Sequence, residues 1–157
     1  MKAASLKELK TELTAQHPQK ILELCMHLAK YKKENKELLS YLLFEAHDEP
    51  NYIKEVKEQI DEELANINKS NIYLAKKTIR KVLKTTNKYI KYSGSKQSEV
   101  ELLIYLCKKI KKIGVPLHVN TALGNIYTRL LIRIQKALST LHEDLQFDYS
   151  EEIKLIW

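Results

Sequence analysis

The stretch from Asn71 to Ser93 constrains the fold most, because its apolar and basic residues follow opposite sides of one helix. At 100° per residue the apolar residues gather on one side and the basic residues roughly opposite. The apolar set is Ile72, Ala75, Ile79, Val82, Leu83 and Ile90, and the basic set is Lys77, Arg80, Lys81, Lys84, Lys88 and Lys91. The pattern predicts a long helix with one face toward a core and the other toward water or an anion.

Residues that favour tight turns are scarce, since the 157 residues include only three glycines and three prolines. A β-sandwich or barrel needs many such turns. Helical spacing of apolar residues instead recurs from Ser5 to Leu141, in about seven segments. We therefore expect an all-α fold. Because a chain of this length can bury roughly 70% of its unfolded surface, we expect one domain over residues 1–157.

Two of these segments are rich in apolar residues. The stretch Leu38–Phe44 is apolar on nearly all sides, which is typical of a helix enclosed by its neighbours. The stretch Val100–Ile113 is rich in residues of the kind found in protein interiors. We therefore expect Leu42 and Leu103 to lie in the core.

The predicted helices are short at the beginning of the chain and long later, which favours an irregular stack of antiparallel hairpins over a helix bundle, the alternative. Hairpins such as SLKELKTELTAQ with PQKILELCMHLAKYKK resemble, over residues 5–141, small HEAT-like helical-repeat proteins of bacteria. The resemblance implies a superhelical scaffold that binds and does not catalyse. It carries over no functional residues, because the chain shows no repeat consensus.

Positive charge is concentrated in residues 69–136, which hold 16 Lys or Arg and two Asp or Glu. Such a block attracts polyanions, and tyrosines among the cations suit stacking on unpaired bases. The chain has 24 Lys and three Arg, which argues against base-specific recognition by bidentate Arg. The candidate anion-binding residues are Tyr73, Lys77, Arg80, Lys81, Lys84, Lys88, Lys91, Lys108, Lys112, Arg129, Arg133 and Lys136. The same face could instead be solvated or bind a protein.

Catalytic and metal-binding patterns do not emerge from the sequence. His47, Asp48 and Glu49 are consecutive, and Asp48 is explained by helix capping. Cys25 and His27 are two residues apart on a helix, so they point in different directions. We expect a non-enzymatic binding or scaffold module without a cofactor. The alternative is a nonspecific nucleic-acid binder that uses residues 69–136.

The chain carries two cysteines, Cys25 and Cys107, each within an apolar helical stretch. Two isolated cysteines do not form the disulfide framework of a small secreted domain, so both are expected to be reduced, buried thiols. The N-terminal residues lack the apolar segment of a signal peptide. The most apolar stretch, Leu38–Ala46, is too short to cross a bilayer. We expect a cytoplasmic protein whose partner is a protein or a nucleic acid and not a membrane.

Residues 143–157 form an acidic, aromatic tail. Its apolar residues Phe147, Ile153, Ile156 and Trp157 would be costly to leave in water. We expect them to anchor the tail beside the preceding helix, where its carboxylates would offset part of the basic block. The competing hypothesis places them on a second chain, so both monomer and homodimer remain open.

Overall fold

All regular structure in the described residues, 2–118 and 121–157 of a computed structural model, is helical. The elements are α1 (Leu6–Thr14), α2 (Pro18–Tyr31), α3 (Lys33–Ser40), a π-helical turn (Tyr41–Glu45), α4 (Glu49–Ala65), α5 (Ile72–Ser93), α6 (Lys96–Ile113), α7 (Ala122–Leu138) and α8 (Glu143–Lys154). The predicted all-α class is confirmed. About seven helices were predicted, and α8 is the additional one because the acidic tail is itself helical.

Side-chain caps explain several helix boundaries. Ser5 and Glu8 form a capping box, in which the Ser5 backbone N–H donates to Glu8 Oε2 at 2.7 Å. The cap of α5 is Asn71, whose Oδ1 accepts from the Leu74 backbone N–H at 3.1 Å. Gly94 ends α5 with φ 66°, a left-handed conformation that costs glycine little.

Two compact units make up the chain, Met1–Phe44 and Glu45–Trp157. The expectation of one domain over residues 1–157 stays a prediction, which the cooperativity of thermal unfolding can test. The HEAT-like superhelix also stays a prediction.

The core of the second unit surrounds α6, which packs against α4, α5 and α7. Seven of its apolar side chains expose at most 1% of their surface. They are Val100, Leu102, Leu103, Ile104, Leu106, Cys107 and Ile110. The predicted core position of Leu103 is therefore confirmed. Contact with three helices explains why α6 is apolar over most of its circumference.

In the first unit, α2 packs against α3, yet none of α1, α2 and α3 contains a buried residue. The predicted burial of Leu38–Phe44 is wrong for most of the stretch, because Leu42 is 57% exposed and Phe44 70% exposed, while Tyr41 is buried. Cys25 is also exposed, against expectation. The apolar spacing correctly predicted that this stretch is helical. The spacing does not specify which other element buries the apolar side chains.

The tail folds back within the second unit, as predicted, and Ile156 is the one of its four expected anchors that is buried. Ile156 is fully buried and its carbonyl oxygen accepts a hydrogen bond from Tyr127 Oη at 2.6 Å. The expected aromatic anchors are exposed, Phe147 by 78% and Trp157 by 57%. Glu152 pairs with Lys108 of α6 at 2.6 Å. That carboxylate therefore offsets charge on α6 and not on α5 or α7.

Candidate anion-binding surface

Arg133 joins three helices at one point. From α7, its Nε donates to Glu99 Oε1 on α6 at 2.7 Å, and a terminal guanidinium nitrogen donates to Asn87 Oδ1 on α5. Glu99 is only 7% exposed. The guanidinium therefore brings the surfaces of α5 and α7 together, although α6 lies between them in the chain.

Basic side chains of α5 and α7 flank this junction. On α5, Arg80, Lys84 and Lys91 lie within about 60° of Asn87 around the helix axis at 100° per residue. On α7, Arg129 and Lys136 lie within about 60° of Arg133 by the same geometry. Because Asn87 contacts Arg133, these five side chains lie on the sides of α5 and α7 that this contact joins.

The positions of the five cations along the helix axes can be compared once the directions of α5 and α7 are known. Successive helices joined by short connections run antiparallel to each other. Because α5 and α7 each run antiparallel to α6, they run in the same direction. Lys84 and Arg129 each precede the Asn87–Arg133 contact by about one turn, and Lys91 and Lys136 follow it by about one turn. We call the five residues Arg80, Lys84, Lys91, Arg129 and Lys136 the basic strip.

The basic strip carries little compensating negative charge. Neither α5 nor α7 contains an Asp or Glu. All five cations are exposed, and none forms a salt bridge in residues 2–118 and 121–157. The nearby carboxylate, Glu99, is taken up by Arg133 and by Lys96 at 2.7 Å. A surface of this kind concentrates positive potential toward solvent.

Other predicted residues on α5 extend the strip or turn away from it. Tyr73 is 68% exposed and lies on the strip side of α5, with Lys76 Nζ 5.5 Å from its ring centre. Lys77 and Lys81 are exposed but lie about 80° and 120° from Asn87 around the axis. Lys88 is half-buried, with its Nζ 5.1 Å from the Tyr89 ring centre.

The predicted basic residues of α6, Lys108 and Lys112, do not join the strip, because they lie toward α8 and α4. Lys108 pairs with Glu152, as described above. Lys109 Nζ lies 2.7 Å from Asp61 Oδ2 on α4, and Tyr105 Oη donates to the same oxygen at 2.8 Å. Lys112 borders a pocket of about 380 Å³ that Asp61 also lines. Lys108 and Lys112 thus lie apart from the predicted anion-binding residues of α5 and α7.

Electrostatics explains why Arg133 positions helices and is not a free cation. Burial disfavours the charged form of Glu99, but hydrogen bonds and charges from Lys96 and Arg133 prevail and lower the pKa of that carboxyl group. Glu99 is therefore ionised at neutral pH and neutralises the guanidinium. Sequence reasoning missed Asn87 and Glu99 as junction residues. Glu99 could have been noticed because it is one of only two acidic residues in residues 69–136. The sequence does not indicate with which cation it forms an ion pair.

Comparison with known proteins gives no family: no family model matches the chain, and no curated protein or solved structure matches it significantly. Within the described ranges, no three His, Cys, Asp or Glu side chains are grouped as metal ligands, and no helix is both long and apolar enough to cross a membrane. A proposal about function therefore rests on the chemistry of the basic strip.

Proposed function

We propose that the protein is a non-enzymatic binding module whose basic strip holds single-stranded nucleic acid without base specificity. The observation that supports this most directly is the contact of Arg133 with Asn87 and Glu99, which aligns the cations of two helices that lack acidic residues. The HEAT-like stacking of hairpins is part of the same proposal. So is a cytoplasmic location, which the free thiols Cys25 and Cys107 favour.

The strip suits a linear polyanion. Arg80 and Lys91 are separated by 11 residues of helix, or about 16 Å at 1.5 Å per residue. Its cations lie on two parallel rows, so a flexible backbone can alternate between them. Lys ammonium groups act as point charges on phosphate, and Arg is needed where a base edge is read by a bidentate pair. Tyr73 at the end of the strip offers an exposed ring for stacking.

The test is fluorescence anisotropy of a labelled oligo(dT) strand titrated with the protein at several salt concentrations. Five phosphate contacts predict that log K falls with log salt with a slope of about −3.5. The variant Lys84→Glu/Arg129→Glu/Lys136→Glu removes three contacts. It is expected to bind at least about tenfold more weakly, with a slope that is smaller in magnitude by about 2.

The matched control is Lys10→Glu/Lys30→Glu/Lys54→Glu, which changes the net charge equally through exposed lysines outside α5 and α7. It is expected to keep the wild-type slope. Equal weakening in both variants would show that net charge alone attracts the strand, and absence of wild-type binding at low salt would eliminate the proposal.

A further inference from the structure

The first unit carries many large apolar side chains that are exposed. Twelve large side chains between Leu6 and Phe44 expose 37–85% of their surface. They are Leu6, Leu9, Leu13, Leu22, Leu24, Met26, Leu28, Tyr31, Leu38, Leu42, Leu43 and Phe44. Their combined exposed area, summed over α1, α2, α3 and the π-helical turn, is on the order of 1,000 Å², and each partner in a stable complex buries roughly 800 Å².

The distribution around α2 shows why one hairpin cannot cover itself. Apolar side chains occupy about 220° of its circumference. Contact with α3 uses the middle of this arc, where both helices line a pocket of about 310 Å³. Leu22 and Met26 flank the contact on one side, and Leu24 and Tyr31 on the other. A second pair of helices packed against the exposed flanks of this hairpin would complete a four-helix arrangement.

We propose that this surface is a self-association interface, so that two copies of the chain pair through residues 18–44 into a four-helix arrangement. The area alone satisfies what a stable dimer needs. The charges also fit, because residues 1–44 carry eight Lys and five Glu interspersed along the sequence. A second copy thus meets both signs of charge, whereas two basic strips would repel each other. An isologous pairing brings the same apolar surface from each copy.

Cys25 is a built-in probe of this interface. It is exposed in one chain and lines the pocket between α2 and α3. The other thiol, Cys107, is fully buried, and burial raises its pKa to about 12, so it stays unreactive in the folded protein. Alkylation of Cys25 therefore reports whether the pocket is covered.

Two measurements on the intact protein, without nucleic acid, test the proposal. Sedimentation equilibrium is expected to give twice the chain mass of 18.4 kDa, with dissociation on dilution. Over the same dilution series, alkylation of Cys25 is expected to be about tenfold slower in the dimer than in the monomer. A monomeric mass at all concentrations overturns the proposal. Protection of Cys25 that does not change with concentration also overturns it, since the surface is then covered within one chain.

A matched pair of variants locates the interface. Leu22→Gln/Leu28→Gln/Leu42→Gln replaces side chains that are 54%, 59% and 57% exposed, and is expected to be monomeric. Ile132→Gln/Phe147→Gln/Leu155→Gln replaces side chains of the second unit that are 58%, 78% and 67% exposed, and is expected to remain dimeric. The reverse result would place the interface on the second unit. Helical content measured by circular dichroism checks that both variants fold.

Discussion

Residues 1–44 and residues 45–157 share helical periodicity but differ in what their apolar residues contact. In the second unit α6 lies between three helices, and its apolar side chains are fully buried. In the first unit α2 has one helical neighbour with extensive contacts, α3, and its leucines are exposed. An apolar stripe therefore predicts a helix with a face to bury. Whether that face is buried inside the unit depends on how many helices pack around it.

The two regions differ in charge in the opposite way. The first unit mixes Lys and Glu along each helix, whereas α5 and α7 of the second unit carry cations alone. Mixed charge permits two copies to approach, and charge of one sign excludes a copy while attracting a polyanion. Under the two proposals, one chain would therefore offer two binding surfaces of different chemistry, one apolar and one basic.

The largest expected effect comes from removing a core leucine. Leu103→Ala in α6 should cost about 2–5 kcal/mol, because it loses transfer energy and leaves a cavity. Leu42→Ala should change the free energy of unfolding by no more than about 0.5 kcal/mol in the monomer, since the side chain is already in water. Chemical denaturation at a concentration that favours the monomer measures both. Equal costs would mean that Leu42 has a buried environment.

A smaller effect is expected at the helix junction. Glu99→Gln keeps the size of the side chain but leaves Arg133 without its counter-charge, which should cost about 1–3 kcal/mol after allowance for the partial exposure of the guanidinium. The control is Glu151→Gln, whose pair with Lys154 is exposed and should contribute less than about 0.5 kcal/mol. The same denaturation assay compares them, and indistinguishable values would remove Arg133 as an anchor of α5 and α7.

The same carboxylate predicts a dependence on acid. The pKa of Glu99 is lower in the folded chain than the ordinary value of 4.5. Its ionised form therefore stabilises the fold above pH 4.5, and this contribution is lost as the pH falls below 4.5 through the folded pKa. The melting temperature of wild type should approach that of Glu99→Gln as the pH falls in this range. A constant difference between the two proteins at all pH values would contradict the assignment.

The smallest expected effect on stability lies on the basic strip. Lys84 is exposed and forms no salt bridge in the described ranges, so Lys84→Ala should change the free energy of unfolding by no more than about 0.5 kcal/mol. It should still reduce the salt slope of oligo(dT) binding by about 0.7, the contribution of one phosphate contact to a single strand. An unchanged slope would place Lys84 outside the binding surface.

Much of the fold could be predicted from local patterns. The scarcity of turn residues and the helical spacing from Ser5 to Leu141 identified the class, because both are local features of the sequence. Burial was predictable for Leu103 and wrong for Leu42, although both lie in strongly apolar helices. Burial depends on which elements pack together, and that information is not local.

The site shows the same limit. The sequence placed Lys84 and Arg129 on basic helical faces, and the structure gives those faces a common junction through Asn87. The sequence also identified basic residues on α6. Their acidic partners, Asp61 and Glu152, lie far away in the sequence, so these ion pairs could not be predicted. A cation on a helix is therefore predictable, whereas its neutralisation depends on tertiary contacts.

The absence of acidic residues from α5 has a consequence for the stability of the fold. Lys77, Arg80, Lys81, Lys84, Lys88 and Lys91 are spaced three or four residues apart along the helix. Each such like-charge pair costs a few tenths of a kcal/mol, so the helix holds internal repulsion that its buried face must outweigh. Added salt should relieve this repulsion, and a bound strand should relieve it further and raise the melting temperature. The thermal stability of the protein would then report how fully the strip is occupied, without any label on either molecule.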